Sequence, residues 1–182
     1  MSTDIKISNS NFFTIGLFAQ TTSSPLISNT TTETSLIGTG VGSLIVPANS
    51  FKVGDSFIGS MAGHINSLNN EYIRIKVKTG SIILGDTGLI KLGQCTNQHW
   101  DLQLRFTVRA LGAAGIASIA SFGQFTYSKD ASDTFEGTDF ITINTTTFNT
   151  TINNTLNITA EWNSASISNN IYSETFILSK IY

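Results

Sequence analysis

The sequence predicts an all-β antiparallel sandwich or jelly roll of about ten strands, folded as one domain over residues 1–182. Two observations carry this. Apolar residues recur with period two while helical periodicity is nearly absent, and Gly, Asn and Asp clusters break the chain at short, regular intervals. The composition agrees: charged residues are 12% of the chain, about half the usual share, against 40% apolar residues. Ser, Thr and Asn fill the gap, at about a third of the sequence. Disorder would require few aromatics and a large net charge, whereas this chain has 12 Phe, 4 Tyr and a net charge of -2. It reads as an ordered domain with a neutral hydroxyl-and-amide surface.

The clearest strand is Trp100–Arg109, apolar at every even position and polar at every odd one. In Tyr72–Lys78, Ile73, Ile75 and Val77 alternate with Arg74, Lys76 and Lys78. Shorter candidates are Ser43–Val46, Ser56–Gly63, Ser81–Leu84, Gly88–Leu92, Ser118–Tyr127, Phe140–Ile143 and Leu156–Trp162. The polar stretch Thr21–Ser35 reads as an ordered surface loop, and Gly38–Gly42 as a flexible turn.

The first and last strands break the alternation. Phe12–Ala19 and Thr175–Tyr182 carry apolar residues on both faces. A two-sided apolar strand in an antiparallel protein needs a partner behind the sheet. Without helices, that partner is a second subunit or a long loop of the same chain. The subunit alternative names Phe12, Phe13, Ile15, Leu17, Phe176, Ile177, Leu178 and Tyr182 as interface residues.

Charge and segment length argue against several partners. No basic excess points to nucleic acid or to an anionic membrane surface, and no apolar run is long enough to span a bilayer as a helix. Residues Met1–Ser10 show no secretory pattern, so folding in a cytoplasm is expected. Asn29, Asn144, Asn149, Asn153 and Asn157 each begin an Asn-X-Ser/Thr triplet, as chance provides in a chain this rich in Asn and Thr.

No enzyme is expected. His64 and His99 lack metal-ligand spacing, and Cys95 has no neighbouring ligand set, although a Cys95–His64 pair formed in space stays open. The sequence expects no cofactor. The best metal candidate is the acidic run Asp130, Asp133, Glu136 and Asp139, whose hard oxygens in a loop would suit calcium; solvated loop charge is the competing reading. Arg74, Lys76 and Lys78 form a basic stripe, open to an anionic glycan or a neighbouring subunit's acids, or else simply a solvent face. Trp100, Trp162 and Tyr72 could stack on sugars, but the phase of Trp100 places it in the core.

The segment Gly42-Ser43-Leu44-Ile45-Val46-Pro47-Ala48-Asn49-Ser50-Phe51-Lys52-Val53-Gly54-Asp55-Ser56-Phe57 resembles a pattern in virion and tail-fibre-like proteins of bacteriophages, large DNA viruses and their satellites. Trp100–Tyr127 and Ile171–Phe176 look like the same group. Some such domains resemble the trimeric jelly roll of the tumour-necrosis-factor and complement C1q type, in which the first and last strands are neighbours and help form the trimer contact. The resemblance implies a homotrimeric viral structural protein, a fibre head or capsid-surface component assembled in the host cytoplasm with other virion proteins and mediating host attachment. It transfers no catalytic residue. A carbohydrate-binding, lectin-like β-sandwich that meets a host surface glycan is the alternative.

Overall fold

The structure, a computed structural model, describes residues 14–130 and 134–182. Along the chain, the larger sheet takes β1 (Ile15–Gln20), β2 (Ile27–Ser28), β4 (Gly40–Gly42), β6 (Ser56–Ser67), β10 (Cys95–Ala110), β11 (Ser118–Ser128), β12 (Phe135–Asn144) and β14 (Asn170–Lys180). The smaller sheet takes β3 (Thr34–Ser35), β5 (Ile45–Val46), β7 (Glu71–Thr79), β8 (Ile82–Asp86), β9 (Ile90–Leu92) and β13 (Asn154–Trp162). Both sheets are antiparallel, and there is no helix among the described residues.

In space the larger sheet runs β12-β11-β10-β6-β14-β1-β4, with β2 also on β14. The smaller runs β3-β13-β7-β8, with β5 on β13 and β9 on β7. The inward faces of the two sheets form one core cluster. Met61, Ile65, Trp100, Leu102, Phe125 and Phe176 come from the larger sheet; Ile73, Ile75, Val77, Ile158 and Trp162 come from the smaller. Both tryptophans are therefore core residues, as the phase of Trp100 predicts, and neither can offer a ring to a sugar. Each buried ring satisfies its N–H, Trp100 by donating to the His64 and Tyr172 carbonyls at 3.1 Å and Trp162 by donating to the Ile27 carbonyl at 3.3 Å.

Two readings of local sequence change. Gly38–Gly42 is not a free turn, because Gly40–Gly42 pairs with β1 as an edge strand. A Cβ on Gly40 would collide with the Ala19 carbonyl and the Phe18 ring, and Gly42 sits at φ +93° against the Leu17 carbonyl. Only glycine allows that approach. Likewise Thr21–Ser35 is not all loop, since it contributes β2 and β3.

The asparagines do more than solubilise the surface. Asn144 Oδ1 accepts the N–H groups of Thr147 and Phe148 at 2.9 and 2.8 Å; Asn149 Oδ1 accepts the N–H and hydroxyl of Thr151. Asn153 Oδ1 accepts the Ala48 N–H, and Asn66 Oδ1 the Asn97 N–H. Four asparagines, Asn29, Asn49, Asn70 and Asn97, occupy the left-handed region, which Asn tolerates better than most residues.

Candidate functional site: the outward face of the larger sheet

Strand register assembles one broad surface from residues far apart in sequence. One row crosses the sheet as Ile141, Phe122, Arg105, Ile58, Ser179 and Gly16. The next reads Asp139, Gln124, Gln103, Ser60, Ile177 and Ala19. On the other side of the first row lie Ile143, Ala120, Thr107 and Ser56. Because the side-chain period is two, all of these point away from the core.

This face is apolar at positions where solvent reaches. Ile141 is 73% exposed, Ile143 55%, Ile177 53% and Phe122 39%. Its charges in these rows are only Arg105 and Asp139, and its remaining groups are small or neutral. Gln103 donates to Ser60 Oγ at 2.9 Å, and Ser56 and Thr107 share a hydroxyl hydrogen bond at 3.0 Å. Further along, His64 and Tyr172 stack with ring centroids 5.6 Å apart.

The outward face of the smaller sheet is the opposite kind of surface. There the basic stripe is matched ion by ion: Arg74 pairs with Asp86, Lys76 with Glu33 at 2.7 Å and Glu161 at 2.9 Å, and Lys78 with Glu33 at 2.6 Å. Partial burial alone would raise the Glu33 carboxyl, but hydrogen bonds from Lys76, Lys78 and Thr159 outweigh it and lower it to about 2. The Asp86 hydrogen bond raises Arg74, and the Glu33 bond raises Lys76. The acids that answer this stripe come from the chain itself. It is not a vacant anion site, and β7 is an interior strand rather than an edge guarded by lysine.

The interface residues expected from sequence divide. Ile15, Ile177 and Tyr182 are exposed, with Ile177 inside the apolar rows. Phe176 and Leu178 point into the sandwich and are buried, while Leu17 packs partly against the core. A charge at Phe176 would therefore unfold the subunit whether or not it assembles, so that substitution cannot report on a contact. Phe12 and Phe13 lie outside the described residues.

The described members of the acidic run do not gather into a metal site. Asp133 lies outside the described residues, and no group of three or more acidic, His or Cys side chains suited to a metal occurs among those described. Asp130 is held by Thr96 and Gln98, whose bonds lower its carboxyl. Glu136 and Asp139 sit on strand β12 rather than in a loop. Glu136 accepts from Lys129 at 2.5 Å and from the Tyr127 hydroxyl at 2.9 Å, and these bonds lower it.

His64 and His99 are register partners on β6 and β10, in the middle of the larger sheet. Cys95 is buried and registers with Ser67, which faces inward, whereas His64 faces outward. The two do not form a pair. Burial first, and the nearby Asp130 charge second, push the Cys95 thiol up to about 11, which disfavours the thiolate.

No protein-family model matches the chain. No curated protein matches it either. Among solved structures, it is similar to "the CBM2 module of Lactobacillus casei BL23 phage J-1 evolved Dit", at 13% identity and a TM-score of 0.30, over 76% of this chain and 68% of that one.

Sequence reasoning found one strand of the apolar face and missed the other half. Ile177 was visible because Thr175–Tyr182 is apolar in both phases. The same test applied to Phe140-Ile141-Thr142-Ile143 would have flagged Ile141 and Ile143, since Phe140 is the buried member of that strand. Phe122 breaks the phase in the same way, since Ile119, Phe125 and Tyr127 are the buried apolar members of its strand, but its immediate neighbours in that phase, Ser121 and Gly123, hide the break.

Proposed function

We propose that the chain is a non-enzymatic structural subunit of a virus particle, a homotrimeric jelly roll of the fibre-head or capsid-surface kind. Its copies meet through the outward face of the larger sheet during assembly in the host cytoplasm. The observation that carries this reading is the contrast between the two outward faces. One is a closed ion-pair network suited to water. The other exposes Ile141, Ile143, Ile177 and Phe122 together with few charges. Large apolar side chains exposed together on one face mark interaction sites, and a low share of charge marks the surfaces by which subunits meet. The adjacency of β1 and β14 supports the trimeric form, because the resemblance in the sequence implies first and last strands lying side by side near such a contact.

Light scattering coupled to size exclusion tests the assembly. The expected mass is about 59 kDa, three chains of 19.6 kDa. Ile141→Asp and Ile177→Asp should each give a folded monomer, since neither side chain belongs to the core. A monomeric parent chain, or variants that stay trimeric, would refute the contact. Mass spectrometry of purified particles tests the virion role, and absence of the chain from them would remove it.

A second reading, a glycan-binding module, is favoured by one observation. A shallow groove on β11 and β12 combines the Phe122 and Phe135 rings with Gln124, Thr126, Thr138 and Asp139, the mixture of aromatic faces and polar groups that sugars require. Because Phe122, Gln124 and Asp139 also lie on the face given to the subunit contact, glycan-array binding by the parent chain that is lost in a folded Phe122→Ala would support this reading in place of that contact.

A further inference from the structure

One end of the sandwich holds a cavity of about 110 Å³ that no part of the assembly reading uses. Leu17, Phe57 and Leu178 line it from the larger sheet, and Leu84 and Leu156 from the smaller. Phe51 and Phe148, packed edge to face at 5.7 Å, form another part of the wall. The polar side chains that reach the cavity, Ser43, Thr79 and Asn154, are already spent. Thr79 Oγ1 donates to Asn154 Oδ1 at 3.2 Å, and Asn154 Nδ2 donates to the Asn149 and Ile152 carbonyls at 2.9 Å. Ser43 Oγ donates to the Ile45 carbonyl and accepts the Ile45 N–H. A water placed inside would find no group in need of it, and buried water needs two to four polar partners.

The cavity also has a route to solvent. The pocket is partly open beside Ser43–Val46, and Ile45, a lining residue, is about half exposed. That segment is held by the two register pairs of β5 on β13 and by the bonds Leu156 N–H to Leu44 O and Ser43 N–H to Leu17 O.

We infer that this cavity is a binding site for one small apolar molecule, of benzene size or a short alkyl group, without a polar head. An apolar cavity of comparable size, about 150 Å³, stays dry and takes benzene or xenon in another protein. The guest would be recognised by shape and dispersion alone, since the walls present no unspent donor or acceptor.

The test uses the full chain with xenon and benzene as probes. Methyl NMR under xenon pressure should show saturable shifts confined to the methyls that line the pocket, those of Leu17, Leu84, Leu156 and Leu178 among them. Benzene should raise the thermal midpoint in step with its concentration. Leu84→Phe, which fills the space, should weaken benzene binding at least tenfold. Leu156→Phe, at a partly buried position beside Leu44, makes the same measurement if the first variant fails to fold. Shifts that never saturate or that scatter over the surface overturn the site, as does undiminished binding in a folded filled variant.

Discussion

Replacing Glu33 by Gln removes one charge from the centre of the smaller sheet's ion-pair network while keeping its shape. Glu33 receives Lys76, Lys78 and the Thr159 hydroxyl, and its carboxyl is lowered from 4.5 to about 2. By linkage, that difference caps the stabilisation of the charged form at about 3 kcal/mol. A quarter of the side chain meets solvent, and screening there reduces the expectation to about 2 kcal/mol. Because the folded-state value lies below the unfolded one, this stabilisation is complete above about 4.5 and fades as pH falls through about 2. Urea unfolding of both proteins, at one fixed chain concentration, measures it. With a slope of about 2 kcal/mol per molar, the midpoint of Glu33→Gln should fall by about 1 M at neutral pH. The two curves should converge in strong acid, where parent and variant are both uncharged at this position. A gap that stays the same across that range, or one below about 0.5 kcal/mol at neutral pH, refutes the assignment of Glu33 as the network's centre.

Two further outcomes follow from packing. Gly123→Ala should cost about 1–3 kcal/mol, because the Phe140 ring lies directly over Gly123 and Gly85; Gly59→Ala, whose new methyl would stand 3.3 Å from the Phe176 ring, should cost less. Equal thermal midpoints for the two variants would contradict that account. Cys95 should resist an exposed-thiol reagent at neutral pH until the domain unfolds, since it is buried and its thiol is pushed up to about 11; rapid labelling under native conditions would show an opening the structure does not contain.

Strands whose two faces differ were legible in the sequence. Trp100–Arg109 and Tyr72–Lys78 announce their inward residues by phase, and the structure buries Trp100, Leu102, Leu104, Ile73, Ile75 and Val77 accordingly. The first half of β12 was not legible, because Phe135-Glu136-Gly137-Thr138-Asp139 has the composition of an acidic loop and becomes a strand only through pairing with β11. The ion-pair network was hidden for a related reason. Glu33 sits in a polar stretch with no pattern of its own, and only the fold carries it to Lys76 and Lys78. The apolar face lay between these cases. Ile177 showed as a broken alternation, while the register of neighbouring strands was needed to set Phe122 and Ile58 on either side of Arg105 on the same face. Side-chain periodicity reports which way a strand faces, whereas neighbours across a sheet are decided by long-range pairing.

The pairing of Ile15 with Lys180 has a mechanical consequence. The strand that opens the described fold and the strand that closes it are antiparallel neighbours, so their outer ends leave the larger sheet at one corner. A pull applied between those ends would peel β1 from β14 one hydrogen bond at a time, rather than shear many bonds together. Joined through both ends, the domain would yield first at that corner. Tethered through one end, it would feel no such tension across the seam.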